Sequence, residues 1–291
     1  MGRHLNRAIE HFGTDTRDLL EGGRYALLHT RTTEFDDLRP YIVGDDVRDI
    51  DWRATARSGE VLVKRFVTEK HHKLLLVADA GLNMTALAPS GETKRDIATI
   101  VMGAVGLIAL RRSDEIGMVY GDVRGSVHVR MRRGENHIES TLEQYYVHSG
   151  GNVDVSDIRT QLSYVAETHR HRLLLVVVSD EPDVSTELRD VLTGLTARHE
   201  LLWVAISDMP AIGAEAGEAE SYDVATGRII PDGAALGPAV LAAYRRAEQQ
   251  RAVELDAFFR SCGVPFVRIA ASAEIRSKFV ELSEAYRNAA R

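Results

Sequence analysis

Two short apolar runs, each closed by an aspartate, constrain the fold of this chain more than any other feature. They are KLLLVAD at Lys73–Asp79 and RLLLVVVSD at Arg172–Asp180. Continuous apolar runs of this length are typical of parallel strands that are covered by helices on both faces. The sequence therefore predicts a sheet with buried central strands and with Asp79 and Asp180 at strand ends.

Strands and helices alternate along the rest of the chain after residue 70. Further strands are predicted at Glu115–Asp122, Glu200–Asp208 and Val264–Ala270, with one hairpin at SVHVRMR and another within Tyr222–Pro231. Helices are predicted at Glu92–Arg112, His137–His148, Ser156–Arg170, Val184–Arg198, Ala239–Arg260 and Ala273–Ala289. Because parallel neighbours need a crossover that a helix commonly supplies, the pattern predicts an α/β fold with a doubly wound, mostly parallel sheet and helices on both faces.

The first seventy residues have a different pattern. A helix is predicted near the N-terminus, followed by β-rich segments around Tyr25–Thr30 and Val61–Val67. We therefore predict two parts. Residues 1–70 form an N-terminal helix and a small β-rich element that carries the GDDVRDIDW motif, and residues 71–291 form the α/β domain with C-terminal helices.

Composition and missing motifs exclude several classes of function. A net charge of −7 argues against nucleic-acid binding, which needs a basic surface. The longest apolar run, Ile97–Leu110, is shorter than the ~20 residues that span a bilayer, so no membrane insertion is expected. With no apolar leader segment, the sequence predicts a cytoplasmic protein. No Gly-Lys pair of a phosphate loop occurs, so no nucleotide is expected.

Four oxygen-bearing side chains are predicted to meet at one edge of the sheet. In an open α/β sheet, ligands bind beyond the carboxyl ends of the strands, where the strand order reverses. Asp79 and Asp180 end strands, while Asn83 and Asn152 lie in adjoining loops. Oxygen donors suit a hard divalent cation such as Mg²⁺, Mn²⁺ or Ca²⁺. The alternative is that the acids cap neighbouring helices.

The segment GDDVRDIDWRATAR, Gly44 to Arg57, concentrates opposite charges around one tryptophan. From Asp49 onward, polar and apolar residues alternate, which predicts a half-buried strand with Trp52 packed in the core. Two roles remain open for this segment: a structural ionic network, or a docking surface for a partner. The candidate residues for either role are Asp45, Asp46, Arg48, Asp51, Trp52 and Arg57.

This charged segment also carries a family resemblance. The stretch EFDDLRPYIVGDDVRDIDWRATARSGEVLVKRF, followed by LLLVADAGLNM, resembles the MoxR-associated domain of unknown function 58 family. In that family an acidic segment of this kind precedes a von Willebrand factor A-like domain. The resemblance thus implies a sheet of von Willebrand factor A type for the α/β domain.

The resemblance also implies a metal site with missing ligands. Von Willebrand factor A domains bind a metal through an Asp-x-Ser-x-Ser loop, a threonine and a further aspartate. The corresponding positions here are Asp79, Gly81, Asn83, Asn152 and Asp180. Only the aspartates match, and Gly81 supplies no side-chain oxygen. The implied metal-ion-dependent adhesion site is therefore degenerate, and is expected to hold Mg²⁺ or Mn²⁺ weakly.

Two functions from different classes follow. The resemblance implies a non-enzymatic protein-interaction or adaptor module that works with a MoxR-type AAA+ ATPase in the remodelling or maturation of an unknown client protein. The alternative is a metal-dependent phosphoesterase that uses the crevice at Asp79 and Asp180, with Asp45 or Asp46 as further acids. No H-E-x-x-H or Gly-x-Ser-x-Gly element occurs, which favours the non-enzymatic function.

Overall fold

The computed structural model describes residues 1–13, 33–42, 45–68, 73–210, 221–224, 226–230 and 237–289. The strands are β1 (Thr33–Pro40), β2 (Leu62–Thr68), β3 (Lys73–Asp79), β4 (Glu115–Asp122), β5 (Gly125–Arg132), β6 (Leu174–Asp180), β7 (Glu200–Ile206), β8 (Ser221–Tyr222), β9 (Ile229–Ile230) and β10 (Phe266–Ile269). The α-helices are α1 (Arg3–Phe12), α2 (Trp52–Ser58), α3 (Lys94–Arg112), α4 (Glu135–Ser149), α5 (Ile158–Thr168), α6 (Thr186–Thr196), α7 (Pro238–Ser261) and α8 (Ile275–Ala289).

Six of these strands form one sheet in the order β10-β7-β6-β3-β4-β5. All neighbours are parallel except β5, an edge strand that runs antiparallel to β4. The predicted α/β fold with a mostly parallel sheet is confirmed, as are the two hairpins, β4–β5 and β8–β9. From β3 the chain proceeds to β4 on one side, whereas β6 lies on the other side. The strand order therefore reverses between β3 and β6.

The core consists of two apolar layers, one on each face of the sheet. In β3, Leu74 and Leu76 face a layer formed with α1, α3, α4 and α8. The alternate residues, Leu75 and Val77, face a second layer formed with α5, α6 and α7. Each such buried side chain contributes roughly 1.5–3 kcal/mol. The predicted placement of helices on both faces is confirmed, and it explains why these strands lack polar alternation.

The N-terminal helix α1 packs on the large sheet's first layer. Its residues Leu5, Ala8 and Phe12 are buried in the same cluster as α3. A side chain at Gly103 of α3 would place its Cβ 2.8 Å from the Cβ of Ala8, so the close approach of these helices requires glycine. Although predicted within the N-terminal part, α1 thus contributes to the core of the α/β domain.

A small antiparallel sheet of β1 and β2 follows, which confirms the predicted small β-rich element. Between its strands the chain forms a 3₁₀ turn at Val47–Asp49 and then α2. The half-buried strand predicted from Asp49 is therefore wrong, and Trp52 is 65% exposed rather than packed in the core. Gly44 and the predicted β-rich segment at Tyr25–Thr30 lie outside the described residues.

The physical reason for this difference lies in two aspartates. Asp46 accepts a hydrogen bond from the backbone N–H of Arg48, and Asp51 accepts two, from Arg53 and Ala54. Such side-chain acceptors start helical turns because they satisfy backbone donors that a helix leaves unpaired. Polar and apolar residues alternate over only six residues here, and this short pattern stabilises a strand less than the two caps stabilise helical turns.

Candidate functional site

A crevice lies where the strand order reverses, at the carboxyl ends of β3 and β6. These strands are adjacent and parallel, so their last residues, Asp79 and Asp180, reach the same edge of the sheet. The turn after β3 carries Asn83, and the segment after β7 carries Asp208. This is the position at which doubly wound sheets bind ligands.

Asp180 is the most highly connected acid of the crevice. Its Oδ1 accepts hydrogen bonds from Nζ of Lys94 at 2.5 Å and from the backbone N–H of Glu181 at 2.7 Å. Its Oδ2 accepts a hydrogen bond from Nδ2 of Asn83 at 2.7 Å. Burial raises the pKa of Asp180 above its ordinary value, while the ammonium of Lys94 opposes that rise. At contact distance the two groups form an ion pair.

Lys94 is completely buried, with its ammonium between two carboxylates. Besides Asp180, Nζ contacts Oδ1 of Asp208, whose side chain is 46% exposed. Lys94 is the first residue of α3, after the N-cap Thr93, and its backbone N–H donates to the carbonyl of Ala86 at 2.9 Å. Because helical side chains tilt toward the N-terminus, a lysine here reaches back into the crevice.

Asp79 is 2% exposed and has a different environment. Its Oδ1 accepts a hydrogen bond from the backbone N–H of Gly81 at 2.8 Å. Burial raises the pKa of Asp79 to about 7, and the negative charge of Asp180 adds to the rise, while Gly81, Ser156 and Lys94 lower it. Near neutral pH this carboxyl is therefore partly protonated, in contrast to the ion-paired Asp180.

Gly81 is held to glycine by the approach of a second loop. A Cβ at this position would lie 2.6 Å from both Cα and Oγ of Ser156. The same hydroxyl accepts a hydrogen bond from the backbone N–H of Asn83 at 3.1 Å. The glycine at position 81 thus has a packing cause, because the Ser156 loop occupies the space that a larger side chain would need.

Asn152, the fourth predicted ligand, is exposed, and it forms a hydrogen bond through its backbone carbonyl. Its carbonyl accepts a hydrogen bond from Nη2 of Arg124 at 2.9 Å, and Arg124 in turn pairs with Asp122. Among these described residues, no hydrogen bond joins the Asn152 carboxamide to the three other predicted ligands. The structure therefore brings Asp79, Asn83 and Asp180 together, and Ser156 rather than Asn152 joins them from the second loop.

The residues present do not fit a bound divalent cation. Asn83 presents an N–H group to Asp180, Gly81 offers no side-chain ligand, and the Lys94 ammonium contacts the carboxylates that a cation would need. Across the described ranges, no group of three or more His, Cys, Asp or Glu side chains is arranged to hold a metal ion.

Three residues of the crevice were not among those predicted from sequence. Asp208 follows the apolar run of β7, just as Asp79 and Asp180 end the apolar runs of β3 and β6. An acid at the end of an apolar run therefore identifies all three residues from sequence. Lys94 has a weaker signal: a lysine directly after a helix-capping threonine in GETKRD. Ser156 has none, because its role depends on how closely its loop approaches Gly81.

In the charged segment of the N-terminal element, three aspartates accept hydrogen bonds from groups close to them in sequence. Asp45 accepts hydrogen bonds from Nη2 of Arg39 at 2.5 Å and from the backbone N–H of Ile42 at 2.9 Å. The Arg39 guanidinium is the main cause that lowers the pKa of Asp45. Asp46 and Asp51 cap the turns described above. The acids thus stabilise local backbone.

The other predicted residues of this segment face solvent. Arg48, Trp52 and Arg57 are exposed. Within the described ranges, neither Arg48 nor Arg57 forms an ion pair through its guanidinium with an acid of the segment. The ionic network predicted between these arginines and the aspartates is therefore not formed among the described side chains, and a tryptophan lies exposed between two arginines in sequence.

Comparison with known proteins gives one family and several uncharacterised relatives. The model of the family described as "Protein of unknown function DUF58" matches residues 37–231. Uncharacterised proteins of Mycobacterium bovis and Mycobacterium tuberculosis are 24% identical over 163 residues, which is 56% of this chain and 51% of theirs. The chain thus spans about half the length of the curated relatives it matches.

Two solved structures are similar over most of this chain. An aerotolerance-related membrane protein from Bacteroides fragilis covers 73% of this chain and 99% of its own, at 12% identity and a TM-score of 0.41. A membrane-spanning protein from Vibrio fischeri covers 75% of this chain and 97% of its own, at 14% identity and a TM-score of 0.24.

These descriptions correct one prediction. Both structural neighbours are described as membrane proteins, which contradicts the cytoplasmic location predicted from the sequence, and we withdraw that location. In the described part of the chain, every helix falls short of the length or apolar character that a bilayer crossing requires. The prediction rested on the apolar segments of the sequence, and these test only for a helix that spans a bilayer.

Proposed function

This chain belongs to the DUF58 family of proteins of unknown function, and we propose that it is a non-enzymatic module that binds other proteins through its N-terminal element. The exposed Trp52 is the observation that carries this proposal. It is 65% exposed at the start of α2, and Tyr41, Ile42 and Val47 nearby in sequence are exposed as well. Contiguous exposed apolar patches mark interaction sites, and we propose that these four side chains form one.

The chemistry of the segment suits a protein partner. Tryptophan and arginine are the residue types that most often dominate binding energy at protein interfaces. Here Trp52 lies between Arg48 and Arg57 in sequence, while the acids of the segment are used as caps. The exposed groups therefore offer an aromatic contact with positive charge around it, which suits an apolar pocket with an acidic rim.

We further propose that the α/β domain is of von Willebrand factor A type with a degenerate metal-ion-dependent adhesion site. The position of Asp79 and Asp180 on either side of the reversal in strand order supports this, as does the single antiparallel edge strand β5. The Lys94 ion pairs support docking that does not depend on metal. The crevice then acts as a rigid frame for its loops.

The proposed partner is a MoxR-type AAA+ ATPase. This rests on the resemblance of the segment from Glu34 to Phe66 and of the strand that follows it. The ATPase would supply ATP hydrolysis, and this chain would present a client protein for remodelling or maturation. The exposed Trp52 surface gives such a complex a point of contact on this chain.

A binding experiment with a MoxR-type ATPase from the same organism tests the proposal. We expect Trp52→Ala to weaken binding by about tenfold or more, because a buried interface tryptophan is a typical hot spot. Val253→Ala, which truncates a side chain that is 63% exposed on α7, is the matched control and should bind as the wild type does. EDTA should have no effect. If the wild type does not bind the ATPase either with or without EDTA, the adaptor role is refuted.

The phosphoesterase alternative has less support. A carboxyl whose pKa is raised to about 7 suits proton transfer at neutral pH. However, Asp79 is 2% exposed, and the carboxylate of Asp180 is paired with Lys94. Turnover of phosphomonoesters in the presence of Mn²⁺, abolished by Asp79→Asn, would establish this alternative instead.

A further inference from the structure

We infer that the ammonium of Lys94 is a resident cation of the crevice, and that its removal converts the crevice into a site for a hard divalent cation. This inference concerns residues remote in sequence from the docking segment and goes beyond the proposed function. The acids of the crevice do not fit a divalent cation, because the positive charge between them is already supplied by a lysine of the chain itself.

The position of the ammonium carries the inference. Nζ of Lys94 contacts Asp180, the last residue of β6, and Asp208, two residues beyond β7. Asp180 in turn accepts from Asn83 in the turn after β3. One positive charge thus joins segments from the ends of three neighbouring strands, which is the structural task that a metal performs in a site built from several loops.

Complete burial makes this arrangement obligatory. A buried ammonium needs both ion pairing and hydrogen bonds, because it has lost its hydration. Lys94 is 0% exposed, and its ammonium donates to the carboxylates of Asp180 and Asp208. A divalent cation on Asp180 would have to share that carboxylate with the ammonium, at a distance where like charges repel strongly. The lysine therefore competes directly with a metal.

The groups around Lys94 are those a hard cation prefers. Without the lysine side chain, the carboxylates of Asp180 and Asp208 would lose their shared counter-charge, and Asp79 ends the strand adjacent and parallel to that of Asp180. The Asn83 carboxamide carries an oxygen as well as the N–H group that Asp180 now accepts. Oxygen donors of this kind select Mg²⁺, Mn²⁺ or Ca²⁺.

Titration of Mn²⁺ into purified variants tests the inference. We expect no saturable binding to the wild type, saturable binding to Lys94→Ala, and its loss in the double variant Lys94→Ala with Asp180→Asn. Lys278→Ala removes a lysine from an exposed pair with Glu281 and is the matched control, expected to behave as the wild type does. Two results would overturn the inference: binding to the wild type that Asp180→Asn abolishes, or a folded Lys94→Ala variant that does not bind Mn²⁺.

A measurement on the wild type alone covers the case in which Lys94→Ala does not fold. The wild type is acetylated with an amine-reactive reagent, and the modified lysines are quantified by mass spectrometry. We expect the acetylation rate of Lys94 to be lower than those of Lys73 and Lys278 by about tenfold or more, because a buried and ion-paired amine is inaccessible to the reagent. Equal rates would overturn the inference. These readouts involve no partner protein, so their outcome is distinct from that of the ATPase-binding experiment.

Discussion

In the crevice, a buried lysine pairs with two carboxylates from distant parts of the chain; in the N-terminal element, aspartates accept hydrogen bonds from backbone groups close to them in sequence. Lys94, Asp180 and Asp208 come from separate strands and helices and are joined by ion pairs. Asp46 and Asp51 bond to backbone groups only two or three residues away. In the crevice, the two ion pairs of Lys94 connect parts of the chain that are 86 and 114 residues apart.

The two tryptophans also differ in burial between the two regions. Trp203 of β7 is completely buried, and its Nε1 donates to Oγ of Ser179 at 3.1 Å. Trp52 is 65% exposed and starts a helix of seven residues. A large aromatic side chain in the first setting stabilises the fold, whereas in the second it is available to a partner. Burial, rather than residue type, thus separates the tryptophan that stabilises the fold from the one that we propose contacts a partner.

The largest expected effect comes from breaking the Lys94 ion pairs. Lys94→Met should lower the free energy of unfolding by about 3–5 kcal/mol, because it leaves Asp180 buried without its counter-charge. Urea denaturation followed by circular dichroism measures this loss. Lys278→Met, at an exposed pair, should change stability by less than about 1 kcal/mol. Equal effects of the two substitutions would remove the contrast between buried and exposed charge.

A double-mutant cycle sharpens this prediction. In the Lys94→Met background, Asp180→Asn should cost less than it does in the wild type, since the ion pair is already lost. Equal costs in both backgrounds would show that the two side chains do not interact. The surface pair of Lys278 and Glu281 provides the comparison cycle.

The second effect concerns pH and Asp79. Because burial raises the pKa of Asp79, the folded state binds a proton that the unfolded chain releases near pH 4. Stability should therefore fall as the pH rises from about 4 to about 7, and then level off. A rise from 3.8 to about 7 corresponds to at most about 4 kcal/mol.

Asp79→Asn is the test of that pH dependence. It keeps an acceptor for the Gly81 N–H but has no proton to exchange, so the slope of stability against pH should become smaller, with a remainder from Asp180. Urea midpoints measured from about pH 4 to about pH 8, which spans the transition, test this change in slope. An unchanged slope would mean that Asp79 is ionised in the folded protein throughout this range.

The third effect comes from adding a side chain at Gly81, in the turn that follows Asp79. Gly81→Ser would place a Cβ 2.6 Å from Cα of Ser156, so the substitution should destabilise the protein by about 1–3 kcal/mol. Ser156→Ala should not rescue it, because the clash involves backbone as well as the hydroxyl. A stable Gly81→Ser variant that binds Mn²⁺ would show instead that the loop retains room for the ligand.

The fold could be predicted from sequence where long apolar runs dominate, and the site only where its signals are local. The runs at Lys73–Asp79 and Glu115–Asp122 predict β3 and β4 with their observed ends, because central strands bury both faces. Lys94 was missed because its partner Asp180 is 86 residues away in sequence. The strand predicted at Asp49 failed because alternation over a short segment is also compatible with capped turns.

The smallest effect distinguishes a helix cap from an ionic role for Asp51 in the N-terminal element. As a cap, Asp51 accepts from the backbone N–H groups of Arg53 and Ala54. The asparagine introduced by Asp51→Asn can accept the same hydrogen bonds through its carboxamide oxygen, but it carries no charge. Comparing this variant with Asp51→Ala therefore separates the two roles.

In Asp51→Ala the cap is lost, and the free energy of unfolding should fall by about 0.5–2 kcal/mol, whereas the asparagine variant should retain most of the stability because both residue types cap helices well. Urea denaturation of the two variants, at low and at high salt, measures the difference. If the carboxylate acted through its charge, both variants would lose the same stability, and that loss would shrink as salt is added. A cap gives unequal losses that salt leaves nearly unchanged, and the charged segment would then be a set of local turns that hold Trp52 at the surface.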